Sequence, residues 1–457
     1  MKVNWFSPIP PAQTGIAEYT ITILPYLCAQ TQVIVWSDQA KYDKRIEKWA
    51  KVRRYGPGNP PWREINSADI SVFNMGNNAA YHEGLWRVAR AHGGVVVLHD
   101  LRLQDLFWSM CLRDRSIGYE ELMGHHYGAR GANAAESVIS GRLRPDELAT
   151  TYPLTQAALE NAAGVVVHTT EGFDIVQKQT AQPVAYLNYP YAAASEETFA
   201  GWKTLRKENG REPLKVVLLG YLNPNRRIES ILRAMAGARL RRRLSLHIYG
   251  PVWDQTHVTQ LASSLNLLND VHLHGYIPNG ETDRLIADAD LAINLRFPTM
   301  GEASMTQLQF WDHALPTIVT RTGWYASLPH DTALFIEQDR EIELLQQYLS
   351  DFAENPAAFR HLGLNGRERL IAVHQPTSYA SDFSDFLKIV LANRHTAQWM
   401  NVAAYAGSLV GGLCARESVD RILADAAARG IMSFLAPGSR ATHSECPSTV
   451  ENRASAI

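Results

Sequence analysis

The feature that most constrains this chain is a repeated alternation. Short, mainly apolar runs, most of them continuous and β-branched, are each followed by a longer segment of helical character. The runs fall at Lys2–Phe6, Val33–Trp36, Ile70–Asn74, Val95–His99, Val165–His168 and Val184–Leu187. A strand with one wet face would alternate apolar and polar residues. A continuous apolar run instead fits a parallel strand covered by helices on both faces. The first part of the chain is therefore expected to be a doubly wound α/β domain. Ala192–Pro213 is small and polar and reads as an interdomain connection. The alternation then restarts at Val216–Leu219, Leu246–Tyr249, Val271–His274, Leu291–Leu295 and Thr317–Thr320, which predicts a second doubly wound domain. No sequence repeat joins the halves, so they share architecture only.

Composition narrows the function classes. With 457 residues, two or three domains are expected, and 46% apolar against 20% charged residues suits large packed cores. Lys plus Arg number 44 and Asp plus Glu 46, a net charge of −2, so nothing in the overall balance points to nucleic acid. Prolines interrupt the opening MKVNWFSPIPP, which lacks the apolar core of a signal peptide, and no run is long enough to span a membrane. Cys28, Cys111, Cys414 and Cys446 are scattered and read as reduced thiols, which with the missing leader suggests a cytoplasmic protein.

Ligands in such sheets bind beyond the carboxyl ends of the strands. After the first run comes a proline-rich loop, Ser7–Thr14, and Gly15 opens a helix reaching about Ala29. Gly15 serves either the turn alone or a close approach of backbone to a phosphate. No G-x-G-x-x-G follows, which argues against a dinucleotide dehydrogenase. His99-Asp100 ends the run VVVLHD; the imidazole can meet a sugar hydroxyl or satisfy a loop backbone, and His168 ends its run in the same way. His125-His126 lies in a helical insertion at Leu101–Pro153, where adjacent side chains diverge and disfavour a shared metal. In GYLNPNRRIESILRA, Gly220 ends a run and Arg226 and Arg227 precede a helix, a placement suited to bidentate capture of a diphosphate. Asn294–Pro329 combines a strand end, a turn at Pro298–Gly301, the carboxylate of Glu302 and a helix start, an arrangement that can receive a phosphate or sugar oxygen. Asp288-Ala289-Asp290 has the spacing of a metal-binding D-x-D, but it stands at a helix-to-strand boundary, where both acids serve as polar end residues. Lys41–Arg54 interleaves basic residues with Tyr42 and Trp49 and reads as a solvated helix face or as a patch for an anionic lipid headgroup or a phosphate-bearing acceptor.

Taken together, SPIPPAQTGIAEY, VVVLHD, VVVHTTEGF, GYLNPNRRIESILRA, HIYGP, HGYIP and RFPTMGEASMTQLQFWDHALPTIVTRTGWYASLP resemble the family 4 retaining glycosyltransferases of the GT-B fold, over roughly residues 1–390. The resemblance implies a nucleotide-sugar donor bound mainly by the second domain, with a glycan or lipid-linked acceptor approaching from the first. It implies that Gly15, Gly220 and Arg226, with Arg227 beside it, lie near the diphosphate, that His99 lies near the transferred sugar, and that Glu302 contacts that sugar. Ala303, Ser304 and Met305 would complete the cradle through their backbone. The family's second glutamate is absent; Gln309 and Phe310 occupy its region, and Tyr221 replaces a common arginine. The implied chemistry is retaining transfer without a metal or other cofactor, the nucleotide-sugar being a substrate, in polysaccharide or glycoconjugate biosynthesis. A non-hydrolysing nucleotide-sugar epimerase and a non-catalytic nucleotide-sugar-binding partner protein are the alternatives. Contact with the inner face of a membrane would be peripheral. The expected layout is an acceptor-side domain at 1–195 with its insertion at 101–153, a donor domain at 196–375, a crossover helix at 376–393, and a helical appendage with a disordered tail at 394–457.

Overall fold

The computed structural model describes residues 1–114, 118–208, 213–238, 243–277 and 279–394. The tail expected beyond Arg394 lies outside the described residues. Met1–Ala392 forms one compact unit.

That unit contains two all-parallel sheets. The first holds β1 (Lys2–Phe6), β2 (Gln32–Ser37), β3 (Lys51–Arg54), β4 (Ile70–Met75), β5 (Gly94–Leu98), β6 (Ala162–Val167) and β7 (Val184–Tyr186), ordered 3-2-1-4-5-6-7. The second holds β8 (Leu214–Leu219), β9 (Leu244–Tyr249), β10 (Val271–Gly275), β11 (Leu291–Asn294), β12 (Thr317–Thr320) and β13 (Leu334–Ile336), ordered 10-9-8-11-12-13. β1, β4, β5, β8 and β11 are buried almost throughout, as strands covered on both faces are, with Asn4, Ser71 and Asn74 the polar residues buried in β1 and β4. The expectation of two doubly wound domains holds.

The helices fold for ordinary reasons. In helix Gly15–Cys28 the Thr14 hydroxyl accepts from the Ile16 N–H at 3.4 Å. Ile16, Tyr19, Thr20, Ile23, Leu24 and Leu27 are buried at helical spacing. Each large aliphatic among them contributes about 1.5–3 kcal/mol by leaving water. The last described helix, Pro376–Ala392, packs against this one. Tyr379 and Tyr19 share a hydroxyl–hydroxyl bond of 2.6 Å, and the Phe383 ring lies 5.5 Å from Trp5. Gly164 on β6 leaves room for the Val390 methyl, which stands 2.6 Å from where a Cβ would be.

Three segments differ from the sequence reading. Lys51–Arg54 is an edge strand, preceded by a 3-10 turn at Lys44–Lys48, and not a helix face. Its mostly exposed KVRR pattern carries no apolar run to mark it. Ala192–Pro213 contains a helix, Glu196–Glu208. β13 is three residues long, below the length at which a run stands out.

Candidate functional site

Each sheet reverses its winding beside its first strand, between β1 and β4 and between β8 and β11. Loops leaving the carboxyl ends of these four strands line one cleft of about 1000 Å³. This is where a doubly wound sheet takes its ligand. The second-domain turn reaches across: the N–H groups of Leu101 and Arg102 donate to the Met300 carbonyl at 2.8 and 3.0 Å. Gly301, at φ 81°, lets that turn sit against Leu101, whose side chain lies 2.6 Å from an added Cβ.

Gly15, His99, Gly220, Arg226, Glu302, Ala303, Ser304, Met305 and Gln309 all line the cleft. Arg227 does not. It takes a left-handed backbone, φ 59°, to cap helix Ile228–Gly237, which turns its side chain away to Glu341 at 2.9 Å. The placement of both arginines at the cleft is thus corrected to Arg226 alone.

Arg226 is 2% exposed, and its Nη2 donates to the Leu219 carbonyl at 3.0 Å. Burial, then the neighbouring Arg296, pushes its pKa down to about 9. A second guanidinium, Arg296, also lines the cleft, and sequence reading passed over it. It pairs with Glu302 at 2.5 Å. Glu302 further accepts from the Thr299 hydroxyl at 3.0 Å and the Met300 N–H at 2.8 Å. Two arginines therefore share one carboxylate on this wall, leaving a positive excess suited to an anion. Ser304 caps helix Met305–Asp312 by accepting from the Gln307 N–H at 3.2 Å, and the helix start faces the cleft. Gly220 takes a φ of 116°, and Gly250 packs so closely on it that a Cβ on Gly250 would stand 1.9 Å from the Gly220 carbonyl oxygen.

Residues 203–369 match the family model of the glycosyl transferases group 1. No curated protein sequence matches the chain. Among solved structures, Anabaena HepE in complex with UDP-glucose is similar at a TM-score of 0.60 and 13% identity, covering 85% of this chain and 99% of that one. Sucrose-phosphate synthase from Thermosynechococcus elongatus is similar at a TM-score of 0.58 and 15% identity, over 86% of this chain and 99% of that one. WaaG, a glycosyltransferase involved in lipopolysaccharide biosynthesis, gives 0.53 and 15%, over 83% and 98%. The fold is GT-B, and the glycosyl transferase match lies almost wholly on the second domain.

The first-domain wall of this GT-B cleft is different in character. His99 is 7% exposed and neutral: burial, then His168 and His82, holds its pKa well below the usual range. Its Nε2 lies 3.2 Å from Asn74 Oδ1, while Asn74 Nδ2 donates to the Phe6 carbonyl, so Nε2 carries the proton and Nδ1 is left as an acceptor. His168 lies behind it, 2% exposed, with Nδ1 donating to the Leu187 carbonyl at 3.0 Å. Asp100 lines the cleft, and burial followed by the Glu302 charge pushes its carboxyl up to about 7. Asn77, Asp105 and Ser109 join it on that wall. The signal for Asn77 was available, because it follows β4 as His99 follows β5. Gly15 is not in a positive-φ conformation and an added Cβ would meet nothing within 4 Å, so the fold itself makes no demand for glycine there.

The acids of Asp288-Ala289-Asp290 are engaged away from the cleft. Asp288 pairs with Lys215 Nζ at 3.1 Å, and Asp290 accepts from the Lys215 N–H at 2.8 Å. Among the described residues, His125, His126 and Glu160 bring ligand atoms within 4.8 Å of one another, closer than divergence on a helix predicts. Glu160 there is paired with Arg90 at 2.8 Å.

Proposed function

We propose that this protein is a retaining glycosyltransferase of the family 4 type. It moves a sugar from a nucleotide-sugar donor to a glycan or lipid-linked acceptor, without a metal, in polysaccharide or glycoconjugate biosynthesis. The observation that carries this is the buried Arg226. It donates to the Leu219 backbone carbonyl, and it stands with Arg296 beside a helix start in a cleft at two switch points. A guanidinium so desolvated favours an anion that arrives with the ligand. The difficult event in sugar transfer is departure of the nucleoside diphosphate, whose growing charge Arg226, Arg296 and the amides around Met305 would stabilise. Glu302, neutralised in part by Arg296, keeps one lone pair, on Oε1, for a hydroxyl of the donor sugar. Neutral His99 would accept or donate a hydrogen bond without competing for the diphosphate.

Metal independence is supported by cations already built into the cleft and by the engagement of Asp288 and Asp290 elsewhere. No described helix is long and apolar enough to cross a membrane. A peripheral contact with the inner face of a membrane, in a cytoplasmic protein, would use the basic residues of Lys41–Arg54 beside exposed Trp49 and Trp62. The test is incubation of purified protein with labelled nucleotide sugars, UDP-glucose among them, and a membrane extract. Transfer to extract is expected. Isomerised free donor would point to an epimerase, and binding without turnover would overturn the catalytic reading.

A further inference from the structure

We propose that the first-domain wall of the cleft receives an uncharged, polyhydroxylated acceptor, a carbohydrate end bearing no phosphate, held by Asn77, Asp100, Asp105 and Ser109. This rests on the transferase reading and narrows its acceptor.

The two walls carry opposite chemistry. On the second-domain wall stand Arg226 and Arg296. Among the described residues of the first domain that line the cleft, none is a lysine or an arginine. Asp100, Asp105 and the rim residue Glu18 are there instead, with amides at Gln13, Asn77 and Asn78. Arg45, whose field reaches Glu18, has a side chain 76% exposed and is paired with Asp43 at 2.5 Å. The imidazoles on this wall, His82 and His99, are held neutral by burial and supply no cation.

Asn77 ties the acids into one surface. Its backbone N–H donates to Asp100 Oδ2 at 2.8 Å, and its Nδ2 donates to Asp105 Oδ2 at 3.1 Å. Its own Oδ1 accepts from the Leu106 N–H at 3.1 Å, which fixes the amide's orientation. Each carboxylate so held offers a second oxygen, and the amide keeps one N–H. Carboxylates and amides set side by side match neighbouring hydroxyls of a sugar ring, which both donate and accept. A phosphate at the same place would meet Asp105 and, whenever it is ionised, Asp100, with no lysine or arginine among the described first-domain residues of the wall. Such juxtaposed like charges select against a partner as effectively as good contacts select for one.

The experiment uses the full-length protein with UDP, GDP and ADP as nucleotide probes. Binding of methyl hexopyranosides and maltose is compared with that of hexose 6-phosphates by saturation-transfer NMR. The neutral saccharides should bind, and the 6-phosphates should bind at least about tenfold more weakly. That gap should shrink in Asp105→Asn and at high salt, and Asn77→Ala should weaken the neutral probes. Phosphates binding as tightly as neutral sugars, or no saccharide binding in the cleft, would overturn the proposal. Thermal stabilisation by the nucleotides on the same samples reports on the transferase reading by itself.

Discussion

Arg296 Nη1 lies 2.5 Å from Glu302 Oε1, an ion pair closed within the single turn that joins β11 to helix Met305–Asp312. This pair neutralises one cation of the donor wall and leaves Arg226 as the surplus. The carboxylate is oriented from both sides, by Arg296 and by Thr299 with Met300.

Arg226→Ala should lower kcat/KM for transfer by about 10²–10³-fold, the loss seen when one preorganised donor to a developing charge is removed. Arg227→Ala should instead leave turnover near wild type and cost about 1–3 kcal/mol of stability, since Glu341 is left 6% exposed without its partner. Steady-state kinetics beside urea unfolding separates the two. Equal kinetic effects would return Arg227 to the site.

Stability should fall as pH drops from about 6.5 to about 4. His82, His168 and His374 are buried neutral, each with its pKa lowered to about 4. Between those values the unfolded chain binds more protons than the native one, so protonation favours unfolding. Asp100 works against this: its carboxyl, raised to about 7, binds a proton in the native state first, so its own contribution declines as pH rises from about 4 to 7. Melting curves across this range should therefore be steeper on the acid side in Asp100→Asn than in wild type. A shallower curve in the variant would refute the assignment.

Gly15→Ala should fold with stability within about 1 kcal/mol of wild type, because the backbone there suits any residue and the added methyl meets no protein atom. Its KM should rise where a ligand occupies that space. Gly301→Ala should destabilise by about 1–3 kcal/mol, since it combines a positive φ with a collision against Leu101. Unfolding midpoints and KM values together check the contrast.

Transfer should persist in EDTA, and Asp288→Asn should leave kcat unchanged within about twofold, as a change at an ion pair away from the cleft would. Activity lost on chelation and restored by Mn²⁺ or Mg²⁺ would show that a metal completes the site.

Much of the fold was legible because the central strands are buried on both faces and most are written as continuous β-branched runs. Lys51–Arg54 escaped because an edge strand faces water and carries charge. Helix Glu196–Glu208 had its own signals, acids at Glu196 and Glu197 and then Phe199 and Trp202 three apart, but a polar composition masked them. Gly15, Gly220 and Glu302 were legible as cleft residues from their place after strands and at helix starts, and Gln309 from the family resemblance alone. The direction of Arg227 was not, because one left-handed backbone angle decides it. Arg296 and Asp105 were passed over because only packing of the two domains sets them across from one another.

The pairing of Tyr379 with Tyr19, and of Phe383 with Trp5, has a consequence for how the protein is made. Part of the layer that covers one face of the first sheet, beside helix Gly15–Cys28, is supplied by residues near 380–390. On the ribosome, the strands through Tyr186 emerge early and wait, with Trp5 covered only in part by helix Gly15–Cys28 and the β6 face at Gly164 open, while the second domain is synthesised and folds. A fragment ending between the two halves would keep that apolar face open to water. The first domain to be translated is thus the last to be finished.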